Sequence, residues 1–341
     1  MEKRYVFRLI LIFFASVLLV ACTNENGNNE GADGVNTDPI VVVLFPHESG
    51  PEFRMIHDEI ERLIYEATGR PGEVMTTIDN NVAIEAISQG VADIAYLGVA
   101  SYFIAREQNP NVRSMFTPSG PSGTLDDAVY FSFLAVREED VHLWEDGQGG
   151  FDLSGLEGEI FSFVSLTSTS GFVVPGEAIV DLFDLDSTDE LAISGTFFEE
   201  VLFAGSHQAS AFSVLNGQVN VAAFLDMEAH FEHVGGPLNA AGMIYQVRED
   251  AEVPLVSRAG DRLVIIKSTP VPNGPFVANM NTLTEEEVTA ITAIFTSDAV
   301  ANNENFFGTP ESDTVSWEVR GTGNERFVPV DTTWYEALTG N

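Results

Sequence analysis

Two hydrophobic periods alternate along the chain, and they predict strands and helices in turn. The continuous apolar run IVVVLF at 40–45 predicts a strand that is covered on both faces. Helical spacing follows, with one apolar stripe from 53 to 67 and with Gly69 and Pro71 as the stop. This alternation predicts an α/β fold with largely parallel sheets.

A weak internal repeat indicates two similar halves. The segments 86–102 and 213–229 each have the pattern of a helix end, a glycine cap (Gly90 or Gly217) and a short buried strand. Two unrelated helix-to-strand connections explain the likeness equally well, since such units are common in α/β proteins. With 341 residues, of which 45% are hydrophobic, the chain can form two lobes.

The lobe boundaries follow from two strong strand patterns. AVYFSFLAV at 128–136 predicts a strand, with the first crossing between lobes near Val136. The chain then returns within 262–279, where a strand meets three prolines. Helices near 282–297 and 331–339 complete the first lobe. The expected division is lobe 1 at 38–135 and 266–341, and lobe 2 at 136–265.

The N-terminus has the pattern of a secretory signal. Basic residues precede an apolar run at 9–20 that is too short for a membrane span, so residues 1–21 are predicted to be a signal peptide. The ending Leu-Val-Ala-Cys resembles a bacterial lipobox, in which Cys22 is lipidated; the alternative is an ordinary signal with a chance cysteine. Residues 22–37 then form a polar tether. The expected location is the outer face of the cell membrane, with a lipid anchor.

Charge and cysteine content narrow the classes of partner. The net charge of −37 repels nucleic acid and anionic lipid headgroups, so neither is an expected partner. Cys22 is the only cysteine in the chain, so the folded part is expected to rely on its core rather than on disulfides.

The run SLTSTSG at 165–171 carries the most specific candidate chemistry. A strand pattern at 159–165 precedes it and a helix pattern follows it, so the hydroxyls lie where ligands bind in open α/β sheets. The amides of a helix start favour an anion, and Ser168, Thr169 and Ser170 add donors. Gly171 lets the backbone approach closely. The alternative is an ordinary N-cap with additional serines.

A second stretch repeats this design. In FAGSHQASAFSVLNG at 203–217, a strand ends at Gly205-Ser206-His207 and a helix follows. A single histidine at such a position is more often a cap than a ligand group. Two hydroxyl-bearing helix starts in one lobe favour a binding site.

Several motifs taken together resemble one family. The lipobox, GVADIAYLGVASY, STSGFVVP, AGSHQASAFSVLNGQVNVAAF and IKSTPVPNGPFV are similar to the phosphonate, phosphite and phosphate binding proteins of ABC importers, over nearly all of residues 38–340. The resemblance implies a type II periplasmic-binding-protein fold, in which two α/β lobes close on a small oxyanion. It also implies a monomer without enzyme activity, cofactor or metal, whose partners are ABC permease subunits.

The resemblance also implies roles for particular residues. Ser168, Thr169 and Ser170 would hold the phosphorus oxygens, and His207 would donate from the same lobe. Asp226 would accept from a protonated oxygen or a ligand amine. Tyr96 and Tyr102 would line the cleft from the other lobe.

One departure concerns the expected Asp-Tyr pair before a helix. Asp79 is kept, but Asn80 stands where the tyrosine would be, which removes a donor and a wall of the pocket. This departure leaves phosphonate, phosphite and phosphate as alternative ligands. A protein that senses the anion for a signalling partner is an alternative to one that transports it.

Other functions remain as alternatives. The same fold also carries sulfonates, taurine or thiamine precursors. A metal-binding importer component would use Glu228, His230, Glu232 and His233, although their spacing is loose. A hydrolase would need Ser168, His207 and Asp226 as a triad, but no nucleophile-elbow motif surrounds the serine.

Overall fold

Two mixed β-sheets flanked by helices organise the computed structural model, which describes residues 37–45, 53–77, 79–309, 316–319 and 321–339. The predicted signal peptide, Cys22 and nearly all of the tether lie outside the described residues. From Thr37 onward the chain forms one compact unit. None of the described helices is long and apolar enough to cross a bilayer.

Lobe 1 is the part of the fold built on the six-stranded sheet. Its strands are β1 (Ile40–Val43), β2 (Gly72–Met75), β3 (Ile94–Tyr96), β4 (Val112–Pro118), β12 (Phe276–Asn279) and β15 (Phe327–Pro329). They lie in the order β15-β4-β12-β3-β1-β2. Its helices are α1 (Arg54–Thr68), α2 (Asn80–Gln89), α3 (Val99–Gln108), α7 (Glu285–Phe295), α8 (Asp298–Ala301) and α9 (Thr332–Thr339). A short parallel pair, β13 (Phe307–Gly308) and β14 (Glu318–Val319), accompanies them.

Lobe 2 is built on the seven-stranded sheet. Its strands are β5 (Val129–Arg137), β6 (Ile160–Phe163), β7 (Glu200–Phe203), β8 (Val221–Leu225), β9 (Phe231–Gly235), β10 (Ile244–Val247) and β11 (Arg262–Pro272). They lie in the order β7-β6-β8-β5-β11-β10-β9. Its helices are a π-helical turn (Thr169–Val173), α4 (Val174–Phe183), α5 (Asp189–Ala192) and α6 (His207–Leu215). Short 3₁₀ segments lie at Leu125–Asp127, Glu138–Leu143, Leu153–Leu156 and Leu255–Arg258.

The first predicted strand and helix are confirmed. β1 is almost wholly buried, as expected for a strand with helices on both faces. The apolar stripe of α1 buries Ile56, Ile60 and Ile64, and Gly69 ends the helix with a left-handed φ of 73°. Each sheet therefore has an apolar core on both of its faces.

The sheets are mixed rather than largely parallel. In lobe 1 the strands β2, β1 and β3 are parallel, and in lobe 2 the strands β7, β6 and β8 are parallel. The remaining pairs of both sheets are antiparallel. The expectation of parallel strands thus holds for the half of each sheet in which helices connect the strands. The candidate residues lie at the carboxyl ends of these parallel strands.

The chain passes between the two lobes at positions that differ from the predicted ones. β5 and β11 pair antiparallel from Leu263↔Arg137 to Pro272↔Val129, so each belongs to the lobe 2 sheet over its whole length. By sheet membership the chain enters lobe 2 between Pro118 and Val129, not at 135/136, and leaves it between Pro272 and Phe276, not at 265/266. Pairing over the full strand keeps their backbone groups hydrogen-bonded, which a mid-strand crossing would not allow.

Candidate ligand-binding cleft

The hydroxyl run lies at the carboxyl end of β6, where the strand passes into the π-helical turn and α4. Ser168 is the N-cap residue, and its hydroxyl accepts a hydrogen bond of 3.1 Å from the Gly171 amide. π-Helical turns are rare and occur frequently at functional sites. The predicted helix start is confirmed, with a wider first turn than an α-helix has.

Thr169 connects this turn to the other lobe. Its Oγ1 accepts a hydrogen bond of 3.0 Å from the amide of Ala100 in the first turn of α3. A hydroxyl that accepts from an N–H still has its own proton to donate. The hydroxyls of Ser168 and Thr169 are therefore both polarised to act as donors, which is what an oxyanion requires.

Ser170 completes the run and is 2% exposed. Its carbonyl accepts a hydrogen bond of 2.7 Å from the Ser132 hydroxyl, which fixes the backbone. Its own hydroxyl makes no hydrogen bond to another residue in the part of the chain that the structure describes. That hydroxyl is therefore available to donate to an acceptor that a ligand supplies.

Gly171 is required by close packing behind the run. A Cβ at this position would lie 2.4 Å from Val164 Cγ2 and 2.8 Å from the Ser168 hydroxyl. The glycine thus lets the turn fold back onto the end of β6, which holds Ser168 in its capping position.

His207 begins α6 and lies beside the end of β8. Its Nδ1 accepts a hydrogen bond of 3.1 Å from the Leu225 amide, so a neutral ring carries its proton on Nε2. Ser206 is the N-cap, and its hydroxyl accepts from the Ala209 amide at 3.1 Å. Because β6, β7 and β8 are parallel, the start of α6 lies at the same sheet edge as the hydroxyl run.

Asp226 follows β8 at this edge. Its Oδ1 accepts a hydrogen bond of 3.3 Å from the Phe131 amide. Burial, assisted by the negative charge of Glu228, raises the pKa of its carboxyl to about 7. At neutral pH the group is thus present in both ionic forms, so it can either accept from or donate to a ligand.

A carboxyl of lobe 1 interacts with this group. Burial, together with the charges of Asp226, Glu325 and Glu228, raises the pKa of Glu318, on β14, to about 8. Carboxyl groups of both lobes therefore share one electrostatic environment, which the sequence analysis did not predict.

Tyr96 lies at the carboxyl end of β3, as the end of a parallel strand in lobe 1. Its ring packs against Trp317, with centroids 4.7 Å apart in an edge arrangement, and against Phe276 at 4.9 Å. Trp317 was missed by the sequence analysis, because it lies in no motif.

Tyr102 belongs to the core of lobe 1 and not to the cleft wall, which corrects the expectation. It is fully buried, its hydroxyl lies 2.6 Å from Thr332 Oγ1, and it accepts from the Ser114 amide at 3.2 Å. The helical period explains this placement, since Val99, Tyr102 and Ala105 share the inward face of α3.

Three groups of lobe 1 contact the hydroxyl run, and the sequence analysis singled out only Asn80 among them. Besides the Ala100 amide, the Ser101 hydroxyl donates to the Thr167 carbonyl at 2.8 Å. The Asn80 amide group donates to the Ser165 hydroxyl at 3.4 Å, so this position keeps a donor without the tyrosine. These groups lie at helix starts in lobe 1. The same strand-to-helix pattern that located the hydroxyl run in lobe 2 was the signal that could have found them.

The four candidate metal ligands are dispersed. His230 is buried at the start of β9, and His233 on that strand lies 2.9 Å from the Gly236 carbonyl oxygen. Glu232 accepts a hydrogen bond from Gln246. Among the described residues, no group of three or more His, Cys, Asp or Glu side chains is arranged to hold a metal ion.

Most of the chain matches one known protein family. The family described as ABC transporter, phosphonate, periplasmic substrate-binding protein matches residues 42–335. The chain belongs to this family. Its two-lobe α/β architecture, with candidate residues at the strand ends, is the fold expected for such a binding protein.

Individual relatives of this family are distant. The chain is 24% identical, over 212 residues, to the phosphate-import protein PhnD of Mycolicibacterium smegmatis, and the match spans 62% of each chain. A binding protein component of an ABC phosphonate transporter from Pseudomonas aeruginosa has a TM-score of 0.60 at 18% identity, with 89% of this chain and 85% of that chain covered.

PhnD1 from Prochlorococcus marinus, solved in complex with methylphosphonate, has a TM-score of 0.59 at 16% identity, with coverage of 89% and 97%. At these identities the structural likenesses concern the fold alone.

Proposed function

We propose that the protein captures a small phosphorus oxyanion, namely a phosphonate, phosphite or phosphate, between its two lobes and delivers it to an ABC permease. In this proposal it acts as a monomeric lipoprotein, anchored through Cys22 outside the cell membrane, without cofactor or catalysis. Membership of the phosphonate-binding family supports the class of ligand. The names of two relatives, a phosphate importer and a methylphosphonate complex, support the same chemistry.

The hydrogen-bond polarity of the hydroxyl run carries the proposal. Ser168 and Thr169 each accept from a backbone amide, so each has a proton to donate to an anionic oxygen. The starts of α3, α4 and α6 add the positive ends of helix dipoles. Binding then needs no Lys or Arg, which agrees with the absence of both from 165–175.

Asp226 supplies the selection between oxyanions. An ionised carboxylate repels a fully deprotonated anion, but it accepts a hydrogen bond from a P–OH group. Since its pKa is about 7, the ionised form that makes this selection is present from about neutral pH upward. Sulfate has no such proton in this range and should be rejected.

Isothermal titration of the purified protein tests this function. Methylphosphonate, phosphite, phosphate, sulfate and taurine are titrated at pH 7 and pH 8. Binding of a phosphorus anion at least about 100-fold tighter than that of sulfate, a difference of about 2.7 kcal/mol, is expected. Tighter binding of taurine or sulfate than of every phosphorus anion would contradict the proposal.

A further inference from the structure

The first turn of α3 forms a direct contact between the lobes. The Ala100 amide donates to Thr169 Oγ1 at 3.0 Å, and the Ser101 hydroxyl donates to the Thr167 carbonyl at 2.8 Å. The donors belong to lobe 1 and the acceptors to lobe 2, so both hydrogen bonds exist only while the lobes are together.

The contact is closely packed. Ser101 is 0% exposed. A Cβ added to Gly98, the N-cap of α3, would lie 2.7 Å from Thr169 Oγ1 and 3.4 Å from the Phe45 ring. The small residues at the start of α3 therefore let its amides reach the hydroxyl run of lobe 2.

The Ser101 bond has a distinct role in this contact. The Thr167 carbonyl is partly buried, and its water is replaced by the Ser101 hydroxyl when the lobes meet. Without that hydroxyl, closing the lobes would leave a carbonyl without a donor, which disfavours the closed arrangement. In the open arrangement water can donate to the Thr167 carbonyl, so loss of the Ser101 hydroxyl would not destabilise that arrangement.

We propose that Ser101 is a positioning residue that sets how long the lobes stay closed on the ligand. It acts through Thr167 and the Ala100–Thr169 hydrogen bond, and it does not touch the ligand itself. The identity of the ligand rests on the proposed function, but the closing contact does not. Since the contact must break before a ligand held between the lobes can leave, loss of the hydroxyl should appear in the dissociation rate.

Amide exchange measures the contact without any ligand. Ala100 lies in the first turn of α3, where amides have no partner within the helix, so protection of its amide reports the bond to Thr169. Exchange is followed by NMR in the parent protein, in Ser101→Ala and in Ser88→Ala. Ser88 is the matched control, because its hydroxyl donates to the Ile84 carbonyl at 2.6 Å within lobe 1.

The expected result is a protected Ala100 amide in the parent and about tenfold faster exchange in Ser101→Ala, as for the loss of one hydrogen bond. Ser88→Ala should leave that amide unchanged, and the amides of β1 should be equally protected in all three proteins. An unprotected Ala100 amide in the parent, or equal protection in Ser101→Ala, would overturn the proposal.

A kinetic experiment then links the contact to ligand capture. Stopped-flow with whichever anion binds should give a dissociation rate about tenfold higher in Ser101→Ala, with the association rate within about twofold. An unchanged dissociation rate would overturn the role in residence time. If no phosphorus anion binds the parent, the proposed function fails, while amide exchange still decides whether Ser101 holds the lobes together.

Discussion

The amide of Ala100 in lobe 1 and the hydroxyl of Thr169 in lobe 2 are joined by a hydrogen bond of 3.0 Å. This bond occupies an acceptor position of the hydroxyl and leaves its proton for another partner. The same side chain can therefore hold an anion and report that the lobes have met. Under the proposed function, ligand binding and lobe closure are coupled at this residue.

Substitution of Gly171 by alanine should disturb the hydroxyl run. The new Cβ would lie 2.4 Å from Val164 Cγ2 and 2.8 Å from the Ser168 hydroxyl, so Ser168 must shift. We expect the free energy of unfolding to fall by about 1–3 kcal/mol, as for overpacking in a core. Anion affinity should fall about tenfold. Denaturant unfolding and calorimetry measure the two effects.

Gly155→Ala is the matched control for this substitution. A Cβ there would meet only Trp144, at 4.0 Å, so stability should change by less than about 0.5 kcal/mol. Equal effects of the two substitutions on anion affinity would contradict the packing role of Gly171.

Two half-buried carboxyls should make the protein less stable as the pH rises. Burial raises the pKa of Asp226 to about 7 and that of Glu318 to about 8. Between about pH 4 and pH 8 the folded chain therefore holds protons that the unfolded chain has lost, and the free energy of unfolding decreases with pH. Asp226→Asn and Glu318→Gln should each reduce this slope.

Urea unfolding across that pH range measures the slope. Glu249→Gln, at an exposed residue, is the control for removing one negative charge. Slopes that are equal in the parent, Asp226→Asn and Glu318→Gln would show that these groups are not protonated in the folded protein.

Tyr102 should matter for stability and not for affinity. Its hydroxyl bonds Thr332 and the Ser114 amide inside lobe 1, so Tyr102→Phe should lower the free energy of unfolding by about 1–2 kcal/mol. Calorimetry should find an anion affinity within about twofold of the parent. A large loss of affinity without a loss of stability would contradict the core role of Tyr102 and indicate that it contacts the ligand.

His207 should carry its proton on Nε2 at neutral pH. Its Nδ1 accepts from the Leu225 amide, which fixes the tautomer of the uncharged ring. Two-bond ¹H–¹⁵N NMR spectra of protein labelled in histidine distinguish the two tautomers. Observation of the Nδ1–H form would contradict the hydrogen bond and the donor role assigned to Nε2.

Local sequence patterns predicted much of this fold and the strand ends at which the candidate residues lie. The apolar run of β1, the stripe of α1 and the strand-to-helix passage around Ser168 are encoded within short windows. Parallel strands then bring the hydroxyl run, His207 and Asp226 to one edge without further information.

The remaining features depend on pairing and register, which short windows do not encode. β5 and β11 have ordinary strand patterns, and their membership of lobe 2 follows from the pairing of β5 with β8 and of β11 with β10. Tyr102 was placed in the cleft because a resemblance indicates a position but not the inward face of α3. Trp317 reaches Tyr96 from far along the chain and has no periodic signal.

The affinity of Ser168→Ala for methylphosphonate, measured by calorimetry, shows whether the hydroxyl run binds the anion. Ser297→Ala is the matched control, since Ser297 is also an N-cap serine, at α8 in lobe 1. We expect affinity about 10- to 100-fold weaker in Ser168→Ala, the effect of losing a hydrogen bond to a charged oxygen, and unchanged affinity in Ser297→Ala. Parent-like affinity in a folded Ser168→Ala protein would contradict the hydroxyl run as the binding site.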